Sequence, residues 1–439
     1  MRALRLALLA ALLPNAVRAQ PVAELPRRTY LGASLAPVPD SLRVSGARVL
    51  AVLPGTPAER SGVHAGDVIT EVGGRAVADV SAVLAALRPL RAGETERLTV
   101  WRDGASRAVA FTAAERPRET PPDLDVRYAT VATPGGRRRV LVTRPRDAVR
   151  HPAVLVVGGV GCYSIDVSSG ESAYRDLSYH LARRGFVVFR VEKSGVGDSV
   201  GAPCATVDFE NELSGYAAAL DAMRRDPAID PARIFLFGHS IGGIAAPTIV
   251  GRDTARVPVR GIALLSVVGI AWYEYELPNL RRQLRMQHLP PDSIERDMRL
   301  KTTCMFHLLL EREARTALLA RQPECAPHIA YPASDAYMQQ VAAVDQAALW
   351  KPVAVPTLVM YGTSDFITDR DEHVELVERI DALHPGMGTF AEVPELDHYL
   401  SHEPSREASL TDPTPGLARR YYGATLEPIL DAWLARLSG

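Results

Sequence analysis

From residue 123 onward, apolar runs of strand length alternate with stretches whose apolar positions recur at helical spacing. Val126 to Thr133 and Val140 to Thr143, joined through Pro134-Gly135-Gly136, predict an opening hairpin. Strands are then expected at Val154 to Val157, Phe186 to Val191, Ile234 to Phe237, Ile262 to Val267, Thr357 to Tyr361 and Thr389 to Val393. Between them, helices are expected over Ser172 to Arg184, along Phe209-Leu213-Tyr216-Leu220-Met223, and at the end of the chain from Ala418 to Leu437. Strands that are apolar on both sides, separated by amphipathic helices, predict a mostly parallel sheet covered on both faces. The stretch from Trp272 to Trp350 shows helical spacing but no strand pattern, so it reads as a helical insertion of about residues 272–350.

The first part of the chain has a different rhythm. Val49 to Val52 reads as a strand, Val80 to Leu87 has helical spacing, and Leu98 to Arg102 with Ala108 to Thr112 reads as a hairpin turning at Asp103-Gly104. Within it stand Tyr30-Leu31-Gly32-Ala33, Pro54-Gly55-Thr56-Pro57-Ala58 and Ala65-Gly66-Asp67-Val68-Ile69. This unit, residues 28–114, resembles a bacterial PDZ domain. The resemblance implies that an extended peptide adds a strand along Leu31, Gly32, Ala33, Ser34 and Leu35. The chain lacks a bulky aromatic after Leu31-Gly32, which leaves capture of a chain terminus open. Residues 115–122, charged and proline-rich, read as a linker to the second unit, 123–439.

Composition changes the picture at few points. The formal net charge of −1 suggests no nucleic-acid partner, and Arg137-Arg138-Arg139 reads as an isolated, solvated patch. Residues 1–19 read as a secretory signal peptide, with Arg2 and Arg5 ahead of or within the Leu4 to Leu13 apolar run and small residues at Val17-Arg18-Ala19. Its removal takes three arginines and no acid, leaving −4. No later run has the apolar length of a stable membrane span. A soluble, exported protein, periplasmic or secreted, is expected, in a compartment where the four cysteines can oxidise.

The chemistry concentrates at Phe237-Gly238-His239-Ser240-Ile241-Gly242, where an apolar strand meets a small-residue helix. Gly-x-Ser-x-Gly in that setting places a serine on a tight turn, with the Ile241 N–H at the helix start able to stabilise an oxyanion. With this elbow, residues 123–439 resemble the α/β-hydrolase fold: a mostly parallel sheet with helices on both faces and a helical cap. The resemblance implies the order serine, acid, histidine along the chain. It carries the acid to Asp365 and the base to His398, with Asp369 and His402 as rivals, and makes His239 a structural neighbour rather than the base. It also places a second oxyanion donor after Val154 to Val157, at the Val160 N–H or, second, at Gly161.

In that fold the loops bearing Cys162 and Cys204 leave the same sheet edge, so these two are candidate disulfide partners, and Cys304 with Cys325 would then close within the cap; the sequence alone leaves the connectivity open. Glu274 and Glu276, at the start of the cap, could bind a substrate amine or be solvated. No metal-ligand arrangement and no cofactor fingerprint is present. The expected activity is ester, or possibly amide, hydrolysis through an acyl-enzyme, with a peptide or protein ligand at the PDZ unit. A peptidase or acyltransferase with the same residues is the alternative, and an inactive peptide-binding scaffold the alternative of another class.

Overall fold

Val154, Leu155, Val156 and Val157 are buried without a break, because their strand lies inside a sheet with packing on both sides. Leu155 and Val157 join the core on one face, while Val154 and Val156 join the core on the other. The neighbouring strand alternates in the same way, Ile234 and Leu236 against Phe235 and Phe237. The structure, a computed structural model, describes residues 24–438; the expected signal peptide lies outside the described residues.

The large sheet has nine strands in the order Val200–Gly201, Gly136–Arg144, Val187–Val191, His151–Val157, Ile229–His239, Gly261–Leu265, Thr357–Gly362, Gly388–Val393, with Asp125–Thr133 paired to Gly136–Arg144. The first pairings are antiparallel. From Val187–Val191 onward every strand is parallel to its neighbour. This is the mostly parallel sheet that the pattern predicts, in the α/β-hydrolase fold that the resemblance implies. The helix Phe209–Arg225 buries Phe209, Leu213, Tyr216, Leu220 and Met223, and Asp208 caps it by accepting from Asn211 N–H. The insertion between Gly261–Leu265 and Thr357–Gly362 is helical, with Trp272–Met286 and Pro291–Met305 as its longest elements. Cys304 and Cys325 are bonded within it.

The N-terminal unit is an antiparallel sheet in the order Ala33–Pro37, Ala47–Val52, Val68–Val72, Thr95–Arg102, Ala105–Thr112. Asp103 (φ 52°) and Gly104 (φ 80°) make the tight turn of its last hairpin, as a type I′ connection requires. The Gly-Asp signature has a physical role: buried Asp67 accepts from Arg102 at 2.5 and 2.7 Å and from His64 N–H at 2.8 Å. Ala33–Pro37 lies at the edge of this sheet, while the Leu31 side chain is buried in its core.

Two expectations need correction. Arg138 and Arg139 are buried rather than solvated. They sit on the strand Gly136–Arg144, where Arg139 meets Asp198 at 3.1 Å and Arg138 meets Asn211 at 2.8 Å, so acceptors compensate the buried charge. Residues 115–122, between the two units, are packed: Glu119 is buried against Arg190 at 2.6 Å, and Arg116 donates to Ser164 at 2.7 Å. The last helix begins at Leu426 and not near 418. Ahead of it the chain pairs with the His398 loop, through a Ser401–Tyr421 bridge and Tyr422 N–H to Leu400 C=O, and this extended pairing excludes a helix there.

The two units share a neck. Thr29–Tyr30 pairs antiparallel with Ala114–Glu115. Just before it, Arg27 reaches Asp166 and Asp198, each at 2.5 Å, with all three side chains buried. Both chains of the neck therefore grip the loops that follow two central strands of the hydrolase sheet. Beneath them, burial pushes the Glu192 carboxyl up to about 7, against the opposing pull of Arg116.

Candidate active site

The strand Ile229–His239 runs into Ser240, and the helix Gly242–Arg252 starts two residues later. Ser240 has φ 56°, a left-handed conformation uncommon for a residue with a side chain. The turn closes only because its flanks are glycines. A Cβ on Gly238 would lie 2.7 Å from Gly242 O, and one on Gly242 would lie 2.6 Å from Val157 O.

The turn brings Ser240 Oγ to 3.1 Å from His398 Nε2, and His398 Nδ1 lies 2.9 Å from Asp365 Oδ2. Asp365 follows the strand Thr357–Gly362, and His398 stands in the loop after Gly388–Val393. Asp365 is fully buried. Burial alone would push its carboxyl up. The opposing charge and hydrogen bond of His398, with Thr368 donating from both its hydroxyl (2.6 Å) and its N–H (3.0 Å), hold it well below the usual carboxylate range. An ionised carboxylate only accepts, so His398 Nδ1 carries the proton and Nε2 offers its lone pair to Ser240. Neither rival joins this row. Asp369 caps the helix Arg370–Leu383 and pairs with Arg406 and Arg282, while His402 is exposed beside Glu395.

Four residues outside the sequence reading, Tyr174, Tyr163, Lys193 and Glu212, organise the surroundings. Gly159 N–H donates to Tyr174 Oη at 2.9 Å, and that oxygen lies 2.7 Å from His239 Nδ1. His239 Nε2 lies 2.8 Å from His398 O. A carbonyl cannot donate, so Nε2 bears the proton, Nδ1 is the acceptor, and the Tyr174 hydroxyl proton points to it. Burial, and secondarily the charge of His398, bring His239 down to about 3, which fixes it as neutral. The Gly159 carbonyl accepts from Lys193 Nζ at 2.7 Å and Tyr163 Oη at 2.9 Å, and Lys193 is neutralised by Glu212 at 3.0 Å. An unbroken set of hydrogen bonds thus links the loop after His151–Val157 to the backbone of His398. A tyrosine inside an amphipathic helix and a lysine after a strand gave no sign of this role.

Ile241 follows Ser240 directly, and Val160 follows Gly159, on which a Cβ would stand 3.4 Å from Ser240 Cβ. Among the described residues, neither N–H has a hydrogen-bond acceptor in the protein. Cys162, two residues after Val160, is bonded to Cys204, which ties this loop to the one after Val187–Val191. In the cap, Glu276 is paired with Lys301 at 2.7 Å and Glu274 is exposed, so these two carboxylates do not form a joint cation site.

Fold and elbow together define an α/β-hydrolase. Residues 167–405, just over half of the chain, match the family described as serine aminopeptidase, S33, and the chain belongs to that family. Residues 29–112 match the PDZ domain. The esterase EstD of Thermotoga maritima is 24% identical over 253 residues, covering 54% of this chain and 52% of that protein. A probable periplasmic serine endoprotease, DegP-like, of Rhizobium meliloti is 33% identical over 99 residues, covering 21% of this chain and 20% of that protein. The chain thus spans about half the length, or less, of these curated relatives. Among solved structures, carboxyl esterase 2 from the mycorrhizal fungus Tuber melanosporum has a TM-score of 0.43 and 17% identity, covering 73% of this chain and 90% of that one.

Proposed function

We propose that this protein is an exported serine hydrolase that cleaves a carboxylic ester through an acyl-enzyme on Ser240. The observation that carries the reading is the hydrogen-bonded row Ser240–His398–Asp365, at 3.1 and 2.9 Å. Ser240 Oγ attacks the acyl carbon as its proton passes to His398 Nε2, and the Val160 and Ile241 N–H groups hold the oxyanion. Collapse expels the alcohol, which takes the proton from His398. Water then repeats the sequence on the acyl-enzyme and releases the acid. Asp365 keeps the imidazole in the reactive tautomer and balances its charge.

Esters are favoured over peptides with a free amine because the cap offers no unpaired acidic pair: Glu276 is neutralised by Lys301. Export is supported by the N-terminal pattern and the two disulfides. The PDZ unit, with its edge strand Ala33–Pro37, is assigned the binding of an extended peptide, with Gly32, Ala33, Ser34 and Leu35 as the pairing stretch. Hydrolysis of short-chain esters, long-chain esters and aminoacyl amides, measured side by side, tests the reading. Turnover of a short ester that disappears in Ser240→Ala is expected; cleavage confined to aminoacyl amides would replace it with a peptidase.

A further inference from the structure

A largely enclosed cavity of about 240 Å3 lies beside the site. Its walls are Tyr163, Ile165, Val167, Ala173, Tyr399 and Leu400, with Tyr174 and His239 at its inner end. These come from the loop after His151–Val157, the first turn of the helix Ala173–Arg183, and the loop that carries His398. The inner end stands one side chain away from Ser240 and His398, which do not themselves line the cavity. The His239 ring centre is 5.0 Å from that of His398, and the Tyr399 ring centre is 5.6 Å from it. A Cβ on Gly159 would stand 3.4 Å from Ser240 Cβ and 3.7 Å from both His239 Nδ1 and Tyr163 Oη. The bare Gly159 Cα therefore leaves room for about one methyl group between Ser240 and two residues of the cavity wall.

Apart from the Tyr399 hydroxyl, the polar side chains around the cavity are already engaged. Tyr163 Oη donates to Gly159 O, Tyr174 Oη is held between Gly159 N–H and His239, and Ser172 Oγ accepts from Arg175 N–H at the start of its helix. Ser164 Oγ donates to Glu192. What remains for an occupant is ring face, aliphatic surface and the hydroxyl of Tyr399. A dry cavity of about 150 Å3 holds a benzene molecule, so this volume fits an aromatic ring with a short extension or a fused second ring.

We propose that this cavity is the subsite for the leaving alcohol, and that the preferred ester carries an uncharged, aromatic or comparably bulky apolar alcohol. The inference rests on the ester-hydrolase reading above. The assignment to the alcohol side follows from position: the group that protonates the leaving oxygen is His398 Nε2, and the cavity is built from the loop of His398 and the rings packed on it. An acyl group bonded to Ser240 would then be left to the cap side, where Val160, Tyr331 and Ile367 share one apolar cluster.

The test compares 1-naphthyl acetate, ethyl acetate and methyl cinnamate on the full chain, together with binding of 1-naphthol followed by its fluorescence. Ala173→Phe projects a ring into the cavity from the first position of a helix. It should lower the kcat/KM ratio of 1-naphthyl acetate over ethyl acetate by at least about tenfold, mainly through KM, and weaken 1-naphthol by a similar factor. Val167→Phe, from another wall, should do the same and guards against a folding defect peculiar to one variant. An unchanged ratio in both variants overturns the proposal while leaving ester hydrolysis standing. A fall in the ratio of methyl cinnamate over ethyl acetate instead overturns the alcohol assignment, because it puts the acyl group in the cavity. If wild type cleaves none of the three esters yet binds 1-naphthol and Ala173→Phe expels it, the ester reading fails and the apolar subsite stands.

Discussion

Tyr174→Phe removes one oxygen and keeps the ring. In the structure that oxygen takes the Gly159 N–H at 2.9 Å and gives its proton to His239 Nδ1 at 2.7 Å. Both partners are buried, so the variant orphans a donor and an acceptor together. Leaving a buried polar group unpaired costs about 1–3 kcal/mol, and two neighbours that can relax toward each other set a total of about 2–4 kcal/mol. Part of this appears as lost stability. The rest appears in catalysis, because Gly159 immediately precedes Val160 and His239 holds the His398 backbone. Loss of a whole oxyanion donor costs about a hundredfold to a thousandfold in kcat. Loosening one should cost less, so kcat should fall about tenfold to a hundredfold with KM changed by less than about threefold. The assay is steady-state hydrolysis of a short ester, with urea unfolding of the same preparations. A kcat within about twofold of wild type, accompanied by the full loss of stability, would show that the bridge only holds the fold together and would refute the coupling argued here.

Other outcomes follow from the same contacts. Replacing Cys162 and Cys204 by alanine opens a bridge spanning 42 residues; urea unfolding should show a loss of up to about 4 kcal/mol, and a loss under about 1 kcal/mol would mean that the bond constrains little. Arg27→Ala leaves Asp166 and Asp198 buried with less compensation, although Arg139 still reaches Asp198, and should cost about 3–5 kcal/mol; a change below about 1 kcal/mol would mean that the neck is not anchored by this pair. His239, at about 3 in the fold, lies below the unfolded value of about 6.5, so the unfolded chain binds more protons between those limits. Its contribution is complete above about pH 6.5 and is lost as pH falls toward 3, amounting to about 3 kcal/mol by about pH 4.5. The stability difference between wild type and His239→Gln should shrink by that order on acidification, and a difference independent of pH would contradict a buried neutral imidazole.

Much of the fold could be read in the sequence because the governing signals are local. Continuous apolar strands such as Val154 to Val157 follow from burial on both faces, and the Phe209-Leu213-Tyr216-Leu220-Met223 spacing follows from one buried helix face. The glycines of the Ser240 turn are local as well, each excluded from carrying a side chain by backbone a few residues or one strand away. Where the reading failed, the cause was long-range. Arg138, Arg139 and Glu119 look solvated by composition, and they become buried because Asp198, Asn211 and Arg190 arrive from distant segments to meet them. The final helix starts later than its spacing predicts because Arg419 is drawn to Asp397 at 2.5 Å, holding that segment against the His398 loop. The Tyr174–His239 bridge joins residues 65 positions apart, and no spacing rule marks such a pair.

The central claim is that Ser240 is a nucleophile activated by His398. Intact-mass and peptide-mapping spectrometry after exposure to a fluorophosphonate tests it most directly, since such reagents phosphonylate an activated serine. The account predicts one adduct, on the peptide containing Ser240, absent in Ser240→Ala and slowed by several orders of magnitude in His398→Ala. An adduct that persists in Ser240→Ala, or a wild-type protein that takes no label while correctly folded, would contradict it.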